Sequence, residues 1–501
     1  MNAWDAAYWA FQTIAQVEAV AALGLGVVIG VIVGAIPGMS ATMGVALTLP
    51  FTFSMEPLVG ILLLLGVYKG GIFGGSIPAI LIKTPGTPAS SCTVLDGHPL
   101  AERGEAGKAL EMALYASCIA DVVSNLALIL FAAWLAAFAL SFGPPEFFTL
   151  ILFSLTIIAG VSGDSLTKGL ISAGFGLLAA TVGLDLVYGT DRFIFGQTEL
   201  MAGLNFIPVL IGLFALPEIL AYLRRPTETV GKVMDLGRHH VTWEEFRRCL
   251  RSIGLGSVIG VVMGAIPGIG GAPSAFLAYS EARRLSPNRD RFGKGELEGV
   301  AASEAGNNGV AGATLIPLLA LGVPGDVITA VILGAFMVHG LRPGPIMFQQ
   351  NIILIYALFM GILLSSLFLF ITGKIAIRAF RRVADIPKAI LYPSVLALCV
   401  FGAYAINNTM FDVLVMFATG LLGYFMMRTG IPAAPFLIAF ILGPMLEDNF
   451  RQAMLMSQGS FTIFLRSGIT WFFWAATALS IGLILRRGLG RRRRPATAGG
   501  D

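Results

Sequence analysis

The chain has 501 residues, of which 56% are hydrophobic and 12% charged, with a formal net charge of +4 and a mean hydropathy of +0.82. A soluble domain carries about 25% charged residues, so this composition cannot cover a globular surface in water. About twelve apolar stretches of bilayer-spanning length are read along the chain. They are continuous runs of Leu, Ala, Gly and Ile without the alternation of a membrane β-barrel, so the expected fold class is an all-α polytopic membrane protein.

In chain order, the N-terminus lacks the basic n-region of a signal peptide, and the first span is expected to serve as its own insertion signal. No Lys or Arg precedes Lys69. "VIVGAIPGMSATMG" (31–44) then interrupts an apolar run, and "YKGGIFGGSIPAILIKTPG" (68–86) leads into "TPGTPASS" (84–91). The stretch 223–251 holds seven basic residues and reads as a cytoplasmic linker, as does 374–388. "VVMGAIPGIGGAPS" (261–274) repeats the GAIPG break between basic flanks, and "NNGVAGATLIPLLALGVPG" (307–325) aligns without gaps on 68–86. The expected organisation is a first repeat half at 1–222, the linker 223–251, a second repeat half at 252–446, a C-terminal span region at 447–487 and a basic cytoplasmic tail at 488–501. The tail reads as a membrane-side anchor in preference to a nucleic-acid contact.

The two GAIPG copies have opposite charge flanks, so the first is expected to enter from outside and the second from the cytoplasm, as an inverted repeat. Matched Pro-Gly interruptions in two inverted halves are the sequence pattern of secondary transporters. Proline removes a backbone donor and glycine admits unusual angles. The freed groups are tolerable in a membrane only where they face protein or a wet cavity, and there N–H groups bind anions and carbonyls bind cations.

The polar residues at the breaks are Ser40, Thr42, Lys83, Thr84, Thr87, Ser90 and Ser91 in the first half, and Ser274, Glu304, Asn307, Asn308, Thr314 and Asp326 in the second. Hydroxyls and amides suit a carboxylate or a monovalent cation and not a transition metal. The substrate site is expected at Ser40, Thr42, Thr84, Pro85, Gly86, Thr87, Ser90, Ser91, Asn307, Asn308, Pro324 and Gly325. The coupling ion is expected at Gly34, Pro37, Gly38, Gly264, Pro267, Gly268, Asn307 and Asn308. Asn307 and Asn308 share a helical face with Glu304; interhelical hydrogen bonding is the competing role. Lys83 supplies countercharge if it points inward and snorkels otherwise. Asp121 and Asn125, one turn apart, are either functional or paired with each other. Cys92, Cys118, Cys249 and Cys399 lack metal-ligand spacing and read as small apolar residues. The four histidines (98, 239, 240 and 339) are scattered. "SGDSL" (162–166) spells an esterase tetrapeptide without a partner histidine nearby, and no nucleotide or hydrolase motif is present, so neither an enzyme nor an ATP-driven pump has a candidate centre.

The ordered set "GAIPGMSATMGVALTLP", "GGIFGGSIPAILIKTPGTPAS", "DGHPLAERGEAGKAL", "DRFIFG", "GAIPGIGG" and "EAGNNGVAGATLIPLLALGVPG" resembles the large membrane subunit of tripartite tricarboxylate transporters, the TctA-type permeases, over most of residues 20–445. The resemblance implies a permease of the bacterial inner membrane that works with a small four-span membrane subunit (TctB-type) and a periplasmic solute-binding protein (TctC-type). Together they import carboxylates such as citrate, driven by an ion gradient, Na⁺ in the better-known examples and H⁺ otherwise. No cofactor is expected, and the basic loops and tail place the N-terminus outside and the C-terminus in the cytoplasm; by analogy with other binding-protein-dependent carboxylate transporters, the motion is of the elevator type. The alternative is a stand-alone carboxylate transporter or exporter.

Overall fold

The structure, a computed structural model, describes residues 3–161, 165–185, 188–224, 234, 236–237, 239–384 and 388–492. Residues 162–164 of "SGDSL", much of the basic linker, residues 385–387 and the tail from 493 lie outside the described residues.

The described chain is helical apart from one antiparallel pair, β1 (Gly183–Leu184) and β2 (Asp191–Arg192), in the register Gly183 to Arg192. The first helices are α1 (Ala3–Ile14), α2 (Val17–Ala35), α3 (Ala41–Thr48), α4 (Pro57–Gly74), α5 (Ser76–Ile82), α6 (Ser90–Glu102) and α7 (Ala106–Ala139). Next come α8 (Pro144–Val161), α9 (Leu166–Ala180) and α10 (Phe206–Arg224). The second half runs α11 (Trp243–Gly264), α12 (Gly271–Leu285), α13 (Leu297–Ala313), α14 (Leu315–Leu321), α15 (Val327–Val338), α16 (Pro345–Gln350) and α17 (Ile352–Ala384). The last are α18 (Lys388–Asn407), α19 (Met410–Thr429), α20 (Ala433–Met456) and α21 (Gly468–Arg492).

The halves repeat one succession of elements. A helix ending in GAIPG (α2, α11) is followed by a shorter helix (α3, α12). A broken arm comes next (α4–α5, α13–α14), then a Pro-Gly hairpin, one more helix (α6, α15) and a long helix, directly after α6 in the first half (α7) and after the short α16 in the second (α17). Each long helix packs against the opposite half: α7 lies on α11, α13 and α14, and α17 lies on α2 and α4.

Glycine spacing fixes how the arms are held. Gly26, Gly30 and Gly34 on α2 face α4, and Gly66, Gly70 and Gly74 on α4 face α2. A β-carbon on Gly30 would lie 2.8 Å from the Gly71 nitrogen, and one on Gly70 would lie 2.9 Å from the Val31 nitrogen. Backbone therefore meets backbone, the small-residue packing that membrane helices use where lipid offers no hydrophobic drive for association. Gly256, Gly260 and Gly264 repeat the device against α13.

Both arms lie inside the protein. Every residue of α13 is buried, as is the continuous stretch Leu58–Ile82. Backbone breaks are thus kept away from lipid, where unpaired groups would cost several kcal/mol each. By contrast, α7 exposes Val122, Leu126, Leu130, Trp134 and Phe138 at helical spacing, a lipid-facing stripe.

Among the described residues nine helices are long and apolar enough to cross a membrane, against about twelve expected from apolar run length. The difference comes from the breaks and from polarity. Ala41–Ser54, Leu166–Ala180, Val327–Val338 and Gly468–Gly482 are apolar but short. α13 carries Glu298, Glu304, Asn307 and Asn308 within 17 residues.

By compactness the chain divides into two units, Met1–Leu140 with Asn205–Tyr424, and Ser141–Leu204 with Phe425–Asp501. Both GAIPG breaks and both broken arms fall in the first unit, while residues 141–204 of the first expected half and 425–446 of the second fall in the second unit. The second unit has its own anchors: Arg451 donates to Asp185 at 2.6 Å, Arg192 donates to Glu447 at 2.7 Å, and Phe148, Phe450 and Phe464 cluster.

Candidate functional site

The two arms break in the same way. Pro78 and Pro317 each sit three residues after the break and lack the N–H that would continue the helix. The chain turns at Gly75 (φ −63°, ψ −20°) and at Thr314 (φ −66°, ψ −20°). Each short helix then ends in a left-handed residue, Lys83 (φ 58°) or Gly322 (φ 71°), and the next N–H returns to the proline carbonyl: Thr84 to Pro78 at 3.3 Å, Val323 to Pro317 at 3.2 Å. Lys83 holds a conformation that glycine adopts without strain; its side chain is exposed.

The GAIPG breaks close onto these hairpins. Gly38 (φ 90°) and Gly268 (φ 87°) take the same positive-φ turn. The Gly268 N–H donates to the Gly325 carbonyl at 2.7 Å, and the Gly86 N–H donates to the Gly75 carbonyl at 3.1 Å beside Gly34. Gly34, Gly86 and the first break thus form one knot; Gly268, Gly325 and Thr314 form its counterpart. Pro37 and Pro267 are buried within the turns, and Gly264 packs on Val310 and Ala313.

The hairpin tips differ in chemistry. Asp326 caps α15: its carboxylate accepts from the Thr329 N–H at 2.7 Å and from Tyr68 Oη at 2.9 Å, while Tyr68 also contacts Thr314 Oγ1 at 3.1 Å. This tip is filled and satisfied. At the first tip Thr87 Oγ1 and Ser90 Oγ lie 2.7 Å apart. The repeat alignment places Asn307 where the other tip has Tyr68. Asn307 is 3% exposed, and its Nδ2 has no hydrogen-bond partner. A β-carbon on Gly271 would lie 2.7 Å from Asn307 Oδ1 and 3.5 Å from the Ala89 side chain. The Asn307 amide therefore lies between the first hairpin and the second GAIPG arm. A buried amide donor without an acceptor is costly, and an anion is a fitting acceptor for it.

Not all expected residues converge there. Thr87 and Ser90 meet at the first tip, and Asn307 and Ala89 of the same hairpin both lie at Gly271. Thr84 is exposed, Pro85, Gly86 and Ser91 are half-buried around the first tip, and Pro324 and Gly325 are buried at the other. Ser40 is spent as the N-cap of α3, accepting from the Met43 N–H at 3.1 Å, and Thr42 lies half-buried on the same helix. Asn308 faces away from the tip. Its Nδ2 donates to Ser117 Oγ at 2.8 Å and to the Glu304 carbonyl at 3.1 Å, so the amide nitrogen and not its oxygen meets the Glu304 carboxylate.

Two buried polar clusters exceed what the sequence indicated. Glu304 is fully buried and accepts from Ser76 Oγ at 2.6 Å, from the Thr93 hydroxyl, and from Ser117 Oγ at 3.0 Å. Lys69, aligned with Asn308 in the repeat, donates to Asp121 at 2.8 Å and to Asn125 Oδ1 at 2.7 Å, and Ser366 donates to Asp121 at 2.6 Å. Asp121 and Asn125 are thus bonded to each other and to Lys69. A signal for both clusters was available: Ser117, Asp121, Ser124 and Asn125 recur on one face of α7 at helical spacing.

Between α6 and the segment that leads into α13, Asp96 accepts from the N–H groups of Gly293, Gly295 and Glu296, each at 2.8 Å, and from Tyr279 Oη. Burial, with the Asp96 charge adding to it, pushes the Tyr279 phenol above its ordinary range.

The tripartite tricarboxylate transporter TctA family matches residues 20–438, and the chain belongs to this family. It is a multi-pass membrane component of a transport system. An Agrobacterium vitis protein, described as an uncharacterized 52.8 kDa protein in the TAR-I ttuC' 3' region, is 37% identical over 462 residues, 92% of this chain and 90% of that protein. A second, described as an uncharacterized protein in the TAR-II ttuC' 3' region of Agrobacterium vitis, is 37% identical over 225 residues, 45% of this chain and 91% of that protein. No solved structure matches.

Proposed function

We propose that the chain is the permease subunit of a binding-protein-dependent secondary transporter that imports tricarboxylates or related carboxylates, citrate among them, across the bacterial inner membrane. The observation that carries this reading is the buried, unpartnered amide of Asn307 between the Thr87–Ser90 tip and the second GAIPG arm. Amide and hydroxyl donors match carboxylate oxygens, and broken helices at matching places in two repeats are how secondary transporters build such sites. A di- or trianion is costly to desolvate, so a co-transported cation, Na⁺ or H⁺, accompanies it. The partners are a small four-span membrane subunit and a periplasmic solute-binding protein. The N-terminus is periplasmic and the C-terminus cytoplasmic, following the basic loops. The site is carried across by an elevator motion of the arms.

The test is uptake of labelled citrate and a panel of carboxylates into proteoliposomes containing this chain and its small partner, with and without the binding protein, under imposed Na⁺ or H⁺ gradients. Uptake that requires the gradient and the binding protein supports the proposal. Uptake without the binding protein makes the chain a stand-alone transporter. Asn307→Ala and Thr87→Ala are expected to abolish uptake while the protein still reaches the membrane. Normal uptake by both would remove the site assignment.

A further inference from the structure

Glu304 is fully buried on an arm helix, at the position where the repeat alignment has Leu65. The fold therefore does not require a carboxylate there. Its four side-chain neighbours, Ser76, Thr93, Ser117 and Asn308, are all neutral, and among the described residues no ion pair reaches it. A carboxylate deep in a membrane protein is expensive as an isolated charge and is neutralised by a proton or a cation. Asn308 turns its N–H₂ toward the carboxyl, which repels a metal cation and suits a hydrogen-bonded acid.

The surrounding hydroxyls have a second property. Ser76 Oγ lies 3.4 Å from Ser90 Oγ, which lies 2.7 Å from Thr87 Oγ1. A chain of hydroxyls thus runs from Glu304 through Ser76 and Ser90 to Thr87 at the half-buried tip. We propose that Glu304 is the proton-binding residue that couples this transporter to a proton gradient, loaded and unloaded through Ser76, Ser90 and Thr87. This rests on the transporter reading above and narrows its cation to the proton. In loading, a hydronium ion at the tip gives a proton to Thr87 Oγ1. Thr87 passes its own proton to Ser90, Ser90 passes its proton to Ser76, and Ser76 passes its proton to Glu304 Oε1. Each hydroxyl gains one O–H bond and loses one, so one proton moves and nothing is consumed. The chain ends on the hairpin whose Ala89 lies, with Asn307, at Gly271, so the proton path and the carboxylate site share that hairpin.

Other titratable groups on the surrounding elements are already engaged or are thiols. Lys69 on α4 and Asp121 on α7 are bonded to each other, and Asp96 on α6 is held by Tyr279 of α12 and by backbone. Cys92 on α6, Cys118 on α7 and Cys249 on α11 are free thiols.

Infrared difference spectroscopy of the whole protein in liposomes tests the proposal without any substrate. The wild type is expected to show the carbonyl stretch of a protonated carboxylic acid that titrates with pH, and Glu304→Gln is expected to lose that band. Ser76→Ala keeps Glu304 and is expected to slow the band's appearance after a pH jump, which keeps the proposal open to test if Glu304→Gln does not fold. In proteoliposomes with the small subunit and the binding protein, accumulation by Glu304→Gln is expected to lose its response to an imposed pH gradient. A wild-type band unchanged in Glu304→Gln overturns the proposal, as does wild-type accumulation that follows a Na⁺ gradient and ignores pH. If no carboxylate is taken up under any gradient while the Glu304 band is present, the transporter reading fails and the proton site stands.

Discussion

Removing Lys69 leaves the Asp121 carboxylate inside the protein with only Ser366 and the Asn125 amide for partners. The Lys69 ammonium donates at 2.8 and 3.1 Å to the two Asp121 oxygens and at 2.7 Å to Asn125, and both charged side chains are at most 1% exposed. Lys69→Met therefore forces a choice between an unpaired buried charge and a neutral acid. Neutralising an ordinary aspartate at pH 7 costs about 4 kcal/mol, from about 1.4 kcal/mol for each of roughly three pH units. Asp121→Asn leaves the ammonium, and neutralising an ordinary lysine costs a similar amount, about 4 to 5 kcal/mol. Both match the roughly 3–5 kcal/mol measured when one member of a buried pair is removed. Lys69→Met with Asp121→Asn removes both charges and is expected to cost far less than the two single losses together, a coupling of about 3 kcal/mol or more. Reversible unfolding in mixed micelles by increasing denaturing detergent measures all four corners of the cycle. Single variants within about 1 kcal/mol of wild type, or a double variant as unstable as the sum of the singles, would refute the reasoning.

Loss of the Asn307 donor by Asn307→Ala is expected to weaken substrate binding by roughly 10- to 150-fold, the worth of about 1.5–3 kcal/mol for a hydrogen bond to a charged group; calorimetric titration of carboxylates into the reconstituted permease measures it. Gly30→Ala drives a methyl into the Val67 carbonyl oxygen and to 2.8 Å from the Gly71 nitrogen, and the helices must separate by about 1 Å to restore normal contact. A loss of about 1–3 kcal/mol follows, read in the same unfolding assay. Asp96→Ala orphans three backbone donors and is expected to lower the thermal midpoint, while Asp96→Asn, which keeps an oxygen, lowers it less. Burial raises the Glu296 carboxyl against the pull of Arg248 and Arg291. Its folded value exceeds its unfolded one, so its contribution to stability is present below the ordinary glutamate range and is lost as pH rises through the folded value. Comparing wild type with Glu296→Gln by thermal unfolding from acid to neutral pH should show the wild type losing ground as pH rises.

The breaks were legible because proline and glycine act locally. Pro78, Pro317, Gly38 and Gly268 impose in the structure the turns their chemistry requires, and the matched spacing of both halves appears as a matched order of helices. Asn307 was visible as an amide in a run of small residues. Ser76, Thr93 and Ser117 were not, because an isolated hydroxyl in an apolar helix carries no sign of what it will face; Ser117 meets Glu304 across 187 positions of sequence. The second compact unit was equally hidden, since it joins a segment between the two repeats to one that follows the second. Nine of the described helices, and not about twelve, meet the length and apolarity of a crossing helix, because run length alone does not register where a helix breaks or carries polar residues.

The position of α7 between the repeats has a consequence for biosynthesis. Its Ser117 and Ser124 find their partners on α13, 187 and 185 residues later. At roughly 5–20 residues per second the ribosome needs about 10 to 40 seconds to supply them. Asp121 does not wait. Lys69 has already been made, 52 residues earlier, and can neutralise it as α7 leaves the translocon. A lone aspartate at the centre of an inserting helix carries a penalty of about 2.5–3.5 kcal/mol. The early pair removes that obstacle before the second half of the chain exists.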